Sequence, residues 1–232
     1  MLIYKNLKKG RFLMSENLSR RLPVYLVLDT SGSMYGEPIE AVRQGIKALI
    51  SDLRNDPQAI ETAYLSVITF NTSAQQIEPL TELMDFQEPD LDADGLTSLG
   101  EALTTVKNCI ENEVRKGSAT QKGDWKQLIF LMTDGEPTDS WEHGAKELKN
   151  ARLGNIIALA AGPDASTAVL KKITEAVLQM NALTPGDMTK FFKWVSASIK
   201  LASNSVKQVA NPADQQLTLP PPPANSGFTI VM

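Results

Sequence analysis

The sequence predicts an α/β fold, a three-layer, doubly wound and mostly parallel sheet with helices on both faces. Three observations predict it. Short apolar runs without polar alternation, such as residues 24–29, are typical of strands buried on both faces. Segments with helical spacing separate these runs, which favours right-handed crossovers between parallel strands. The chain has 232 residues, 42% of them hydrophobic, which is enough for one full-sized domain.

Strand-like and helix-like segments alternate along the body of the chain. The predicted strands cover residues 24–29, 62–70, 127–133, 156–161 and 177–180, with a short edge strand over 73–80 that runs back along the second. The predicted helices cover the stripe Ile39, Val42, Ile46, Leu49, Ile50 and Leu53, the stripe Leu99, Leu103, Val106 and Ile110, residues 141–153, residues near 166–174, and the stripe Phe191, Phe192, Val195 and Ile199. Pro38 suits the first turn of the first helix, and Thr184 with Asp187 resembles a capping box before the last one.

Composition divides the chain into three parts. Residues 1–21 form a basic N-terminal extension, within which Met14 is an alternative natural start. Residues 22–203 form the folded domain. Residues 204–232 are predicted to be a flexible proline-rich tail, because five of the 13 prolines lie between Pro212 and Pro223 and consecutive prolines form polyproline II.

Charge and residue usage exclude several classes of protein. The net charge is −4 and the pI is about 5.2, whereas nucleic-acid binders usually carry a basic excess. Cys109 and His143 are the single cysteine and histidine, so an intrachain disulfide is excluded and a zinc enzyme is disfavoured. No apolar run approaches the ~20 residues that span a bilayer, and basic residues interrupt the N-terminus where a secretory signal would be apolar. We therefore expect a cytoplasmic protein that binds neither nucleic acid nor membrane.

Polar side chains follow the predicted strands at the edge where ligands bind in such sheets. Asp29, Ser31 and Ser33 follow the first strand at two-residue steps, and Asp134 follows the strand that ends at residue 133. Thr97 lies in a third loop that can reach the same crevice. Carboxylates and hydroxyls are hard oxygen ligands, which suit Mg²⁺ or a similar divalent cation. If each residue only caps a helix or anchors a turn, no such site forms.

These residues resemble the von Willebrand factor A domain family. Asp29-x-Ser31-x-Ser33, a Gly-x-Thr-x-x-Gly loop that contains Thr97, and Thr133-Asp134-Gly135 match the family's metal-ion-dependent adhesion site in order and spacing. The resemblance implies that the two serines and Thr97 ligate the ion directly and that both aspartates act through bound water. It implies Mg²⁺, or Mn²⁺ or Ca²⁺, as the ion, and a protein partner that supplies an Asp or Glu to the open position.

A narrower resemblance concerns residues 31–39 and 133–139. These strings, with Trp141 close behind, are similar to those of the bacterial tellurium-resistance A-domain proteins. That resemblance implies a cytosolic scaffold without enzymatic activity in a stress-response phosphorylation system. Its expected partners are a protein kinase and a metal-dependent protein phosphatase.

Two other functions compete with the adhesion site. The stretch from Asp90 to Glu101 satisfies the EF-hand calcium-loop pattern, although Pro79 and Pro89 lie where its entering helix would run. An aspartate at the end of the first strand also suggests a metal-dependent phosphatase of the haloacid-dehalogenase type. That chemistry needs a second carboxylate two residues later, where this chain has Ser31. We therefore predict no catalytic residues.

Overall fold

The computed structural model describes residues 20–118, 122–151, 153–205 and 219–231. Its centre is a seven-stranded sheet with the order β3-β2-β1-β4-β5-β6-β7. The strands are β1 Leu22–Asp29, β2 Ala63–Phe70, β3 Ala74–Glu82, β4 Leu128–Thr133, β5 Asn155–Ala161, β6 Ala176–Met180 and β7 Phe228–Val231. The five inner strands pair in parallel, and β3 and β7 pair antiparallel at the two edges. The predicted mostly parallel α/β sheet is confirmed.

Helices cover both faces of this sheet. They are α1 Glu37–Leu53, α2 Pro57–Thr62, α3 Leu99–Glu113, α4 Trp141–Asn150, α5 Thr167–Ile173 and α6 Pro185–Ser205, with a 3₁₀ turn at Gly32–Met34. Side chains of α1, α2 and α6 share one hydrophobic cluster, and those of α3, α4 and α5 share the other. Because successive side chains of a strand point to opposite faces, Leu26 of β1 joins the first cluster and Val27 joins the second. None of the described helices has the length and apolar composition needed to cross a bilayer.

Strand order places one edge of the sheet where loops converge. The chain leaves β1 for β2 on one side and later returns to β4 on the other side of β1. The carboxyl ends of β1 and β4 are therefore neighbours, and the loops that follow them leave in opposite directions. In doubly wound sheets this reversal opens the crevice in which ligands bind.

The end of the chain differs from the predicted flexible tail. Residues 206–218 lie outside the described part, but residues 219–231 pack on the domain. Phe228–Val231 pairs antiparallel with β6, and the Phe228 ring packs edge-on against Phe191 and Trp194 of α6. The Trp194 indole N–H also donates to the Pro220 carbonyl at 2.8 Å. A strand of four residues gives almost no sequence pattern, because tertiary contacts rather than periodicity hold it.

Candidate metal site

The structure brings four of the five predicted site residues into one hydrogen-bonded row. Asp29 is the last residue of β1, Ser31 and Ser33 lie in the turn that follows, and Asp134 comes directly after β4. The Oγ atoms of Ser31 and Ser33 are 3.1 Å apart, and the Ser33 hydroxyl donates to Asp134 Oδ1 at 2.8 Å. Asp29 and Asp134 are buried, whereas Ser33 faces solvent. Ser33 is therefore the member of the row that meets solvent, between the buried Ser31 and the buried Asp134.

Two further hydrogen bonds orient the Asp29 carboxylate. The Ser31 backbone N–H donates to Asp29 Oδ1 at 2.9 Å. The Thr133 hydroxyl donates to Asp29 Oδ2 at 2.5 Å. Because Thr133 ends β4, this contact ties the carboxyl ends of β1 and β4 together. Thr133 is a site residue that the sequence analysis did not assign.

Thr97, the fifth predicted residue, approaches from the loop before α3. Its Oγ1 lies 4.0 Å from the position that a Cβ on Gly135 would occupy, so it stands beside the loop that carries Asp134. The Gly32 N–H donates to the Gly95 carbonyl at 3.1 Å and joins the Thr97 loop to the serine turn. Gly95 has φ of +73°, a conformation that glycine adopts without strain. The three predicted loops thus meet at one edge of the sheet.

A clamp holds the Thr97 loop against the segment after β4. The Thr97 N–H donates to Thr138 Oγ1 at 3.0 Å, and the Thr138 N–H donates to the Thr97 carbonyl at 2.9 Å. The Asp139 carboxylate accepts the Gly100 and Glu101 N–H groups, each at 3.0 Å. It therefore caps the first turn of α3, where the N-cap residue Ser98 makes no side-chain capping bond. Sequence analysis missed Thr138 and Asp139, because a cap from a distant segment leaves no local pattern.

Burial and like charge disfavour the ionised carboxylates. Burial raises the pKa of Asp29, and hydrogen bonds from Ser31 and Thr133 oppose that shift. Burial, followed by the charge of Asp29, raises the pKa of Asp134 to about 6. The negative charge of Asp164 also raises the pKa of Asp134. The site thus concentrates negative charge that a cation would neutralise.

The donor set fits a hard divalent cation. Within the described ranges, no group of three or more His, Cys, Asp or Glu side chains could hold a metal ion. Any ion at this edge must therefore rely on hydroxyls beside the two carboxylates. All five side chains offer oxygen, the ligand atom that Mg²⁺, Mn²⁺ and Ca²⁺ prefer.

The structure contradicts the calcium-loop alternative. No entering helix precedes Asp90 within the described residues 83–98. Asp92 pairs with Arg43 of α1 at 3.2 Å, and Asp94 accepts from the Asn71 amide at 2.6 Å. Glu101 belongs to the first turn of α3. Arg43 also lies 3.8 Å from Asp90, so Asp90 and Asp92 face a guanidinium, whereas Asp94 and Glu101 belong to other contacts.

The fold and the match of this chain to a protein-family model define the same class of protein. The chain belongs to the von Willebrand factor type A domain family, whose family model matches residues 24–196. Domains of this family mediate protein–protein interaction and adhesion, often through a divalent metal. Inter-alpha-trypsin inhibitor heavy chains are among the relatives, and the haloacid-dehalogenase alternative is not favoured.

Relatives are similar to this chain in sequence, and solved structures are similar to it in fold. The chain is 36% identical over 150 residues to the uncharacterized protein sll0103 from Synechocystis, a match that covers 61% of this chain and 31% of that protein. It is 27% identical over 207 residues to inter-alpha-trypsin inhibitor heavy chain H4 from Bos taurus, covering 82% of this chain and 20% of that one. The chain thus spans under a third of the length of these relatives. Its fold is similar to that of proximal thread matrix protein 1 from the mussel byssus, solved with zinc in its metal-ion-dependent adhesion site (MIDAS) motif. The TM-score is 0.55 and the identity is 20%, and the match covers 78% of this chain and 48% of that one.

Proposed function

We propose that this domain captures a protein partner through a divalent ion held by Asp29, Ser31, Ser33, Thr97 and Asp134. The ion, Mg²⁺ or else Mn²⁺ or Ca²⁺, supplies a positive centre that an Asp or Glu of the partner can ligate. The domain itself carries out no chemical conversion. The observation that carries the proposal is the hydrogen-bonded row of two carboxylates and two hydroxyls, with the Thr97 hydroxyl beside it.

The chain's own residues prepare this site without the ion. Thr133 and the Ser31 backbone hold both oxygens of Asp29, so that carboxylate cannot rotate freely. Ser33, which faces solvent, donates to one oxygen of Asp134. Such preorganisation lowers the entropy lost when ligands gather around an ion.

Electrostatics supports a metal requirement for the partner. Asp29, Asp134 and Asp164 make this edge of the sheet negative, and Glu136 beside Asp134 is exposed. An acidic side chain that approaches this edge is repelled unless a cation intervenes. We therefore expect partner capture to be strictly metal-dependent.

The cellular role belongs to the same proposal. The resemblance of residues 31–39 and 133–139 to bacterial tellurium-resistance A domains supports a cytoplasmic scaffold in a stress-response phosphorylation system. A protein kinase and a metal-dependent protein phosphatase are the partners we propose. The partner's acidic group would face the same edge in each complex.

Calorimetric titration with Mg²⁺, Mn²⁺, Ca²⁺ and Zn²⁺ tests the site. We expect at least one ion to bind the native chain, and the combination of Asp29→Ala with Ser33→Ala to abolish that binding. Asp92→Asn, a matched change at an acidic residue outside the site, should bind as the native chain does. Undiminished binding by the double variant would refute the proposed site.

Capture from a lysate of the source organism tests the role. We expect a kinase or phosphatase to be retained in the presence of Mg²⁺ and released by EDTA. The same partner retained equally in EDTA would contradict the metal-bridged mechanism.

A further inference from the structure

Two large apolar side chains stand in solvent beside the candidate metal site. Tyr35 is 78% exposed and Leu96 is 56% exposed. Tyr35 follows Ser33 by two residues, and Leu96 directly precedes Thr97. Each of two metal-site loops therefore presents one exposed apolar side chain.

The backbone holds both side chains in place. The Tyr35 N–H donates to the Gly32 carbonyl at 3.2 Å, and the side chain of Met34, between Ser33 and Tyr35, is fully buried beneath the turn. The Leu96 N–H donates to Thr72 Oγ1 at 3.2 Å. Tyr35 and Leu96 thus project from hydrogen-bonded turns rather than from loose ends of the chain.

The exposed side chains of Tyr35 and Leu96 do not contribute to the hydrophobic core. Met34, next to Tyr35, and Leu99, the first residue of α3, are fully buried, so a buried side chain already anchors the chain beside each of them. The Gly32 N–H donates to the Gly95 carbonyl, so the two exposed side chains lie on adjoining loops. An apolar side chain is stabilised when a partner removes it from water, and exposed apolar groups that lie together mark interaction surfaces. Aromatic residues are also enriched among those that dominate binding energy.

We infer that Tyr35 and Leu96 form the apolar rim of the partner-binding surface, and that the partner presents one acidic residue flanked by apolar side chains. This inference rests on the proposed function, since the acidic residue is the group that meets the ion. The rim provides apolar contact around one point of charge. The negative edge formed by Asp29, Asp134 and Asp164 disfavours a partner segment with several acidic residues in a row.

Two peptide pools test the rim. Each pool has a central Asp, flanked in one pool by Leu and Phe and in the other by Ser and Asn, and binding is measured by fluorescence polarisation with Mg²⁺ and with EDTA. We expect the apolar pool to bind about ten-fold more tightly in Mg²⁺, as burial of one or two apolar side chains would give. Tyr35→Ser and Leu96→Ser should each reduce that preference and leave calorimetric metal affinity unchanged. Met84→Ser is the matched control, because Met84 is 52% exposed and lies outside the site loops.

The outcomes separate the inference from the proposed function. Equal Mg²⁺-dependent binding of the two pools would overturn the apolar rim and leave the metal site standing. A preference that survives in both rim variants would overturn it too. Absence of metal binding in the native chain would overturn the proposed function itself, and the inference with it.

Discussion

Asp134→Asn should stabilise the metal-free protein, although it removes a candidate ligand. Asparagine has nearly the shape of aspartate, and its amide oxygen can still accept the Ser33 hydroxyl that Asp134 accepts at 2.8 Å. The substitution removes a buried charge that lies near Asp29. We therefore expect a higher melting temperature in EDTA at pH 7, where Asp134 of the native chain is mostly ionised.

The raised pKa of Asp134 gives the size of the effect. Its pKa rises from 3.8 to about 6 on folding. At about 1.4 kcal/mol per pKa unit this is about 3 kcal/mol. Solvent screening at this partly open edge reduces the figure to about 1 kcal/mol. For a domain of this size, about 1 kcal/mol moves the melting temperature by roughly 2–4 °C.

The pH dependence of the difference identifies its cause. A carboxyl whose pKa is raised on folding favours the folded state below the unfolded pKa, and that contribution is lost as pH rises through the folded pKa. The melting temperatures of Asp134→Asn and the native chain should therefore converge near pH 4 and separate as pH rises to about 6. Asp164→Asn, at an exposed residue, should shift melting much less. If Asp134→Asn melts lower than the native chain at pH 7 in EDTA, the proposed repulsion is wrong.

Three further predictions concern the clamp, the acidic loop and the C-terminal strand. Asp139→Asn should lower the free energy of unfolding by about 1 kcal/mol, because it weakens a charge-assisted helix cap. Calorimetry should also show weaker metal binding, because the Thr97 loop loosens. Unchanged metal affinity would mean that the clamp does not position Thr97. Asp92→Asn should leave the calcium affinity measured by calorimetry unchanged, whereas a loss of affinity would indicate that the stretch from Asp90 to Glu101 binds calcium. Phe228→Ala should cost about 3 kcal/mol in urea unfolding, because it empties a buried aromatic site, and a cost near zero would mean that β7 is not docked in solution.

The sequence pattern predicted the strands that contain a continuous apolar run and the helices that carry a long apolar stripe. The apolar stripe of α1 is too long for a strand and the apolar run of β1 is too short for a typical helix, so length distinguishes the two. The six-residue helix α2 and the four-residue strand β7 fall below that length. Tertiary contacts decide both, since Ala59 of α2 and Phe228 of β7 are buried against the α6 side of the sheet.

Spacing alone predicts two metal sites, and packing disfavours one of them, the calcium loop. The EF-hand pattern from Asp90 to Glu101 specifies residue types, but Arg43 from α1 pairs with Asp92, and Glu101 joins α3. The pattern that includes Asp29 and Asp134 concerns residues at the ends of adjacent parallel strands, so the sheet itself brings them together. Contacts such as Asp139 to the start of α3 connect distant segments and could not be predicted from either pattern.

The candidate site thus lowers the stability of the metal-free fold, and an ion can restore it. The charge of Asp134, close to Asp29, opposes folding at neutral pH by about 1 kcal/mol on the argument above. An ion at about ten times its dissociation constant adds about 1.4 kcal/mol to the folded state. The two terms are of similar size, so modest occupancy offsets the repulsion. Natural proteins break local rules of stability mainly at functional sites, and a pair of buried, like-charged carboxylates at a sheet edge is such a violation. If residue 134 served only the stability of the fold, asparagine would serve better than aspartate. The aspartate at this position therefore indicates a role in holding a cation.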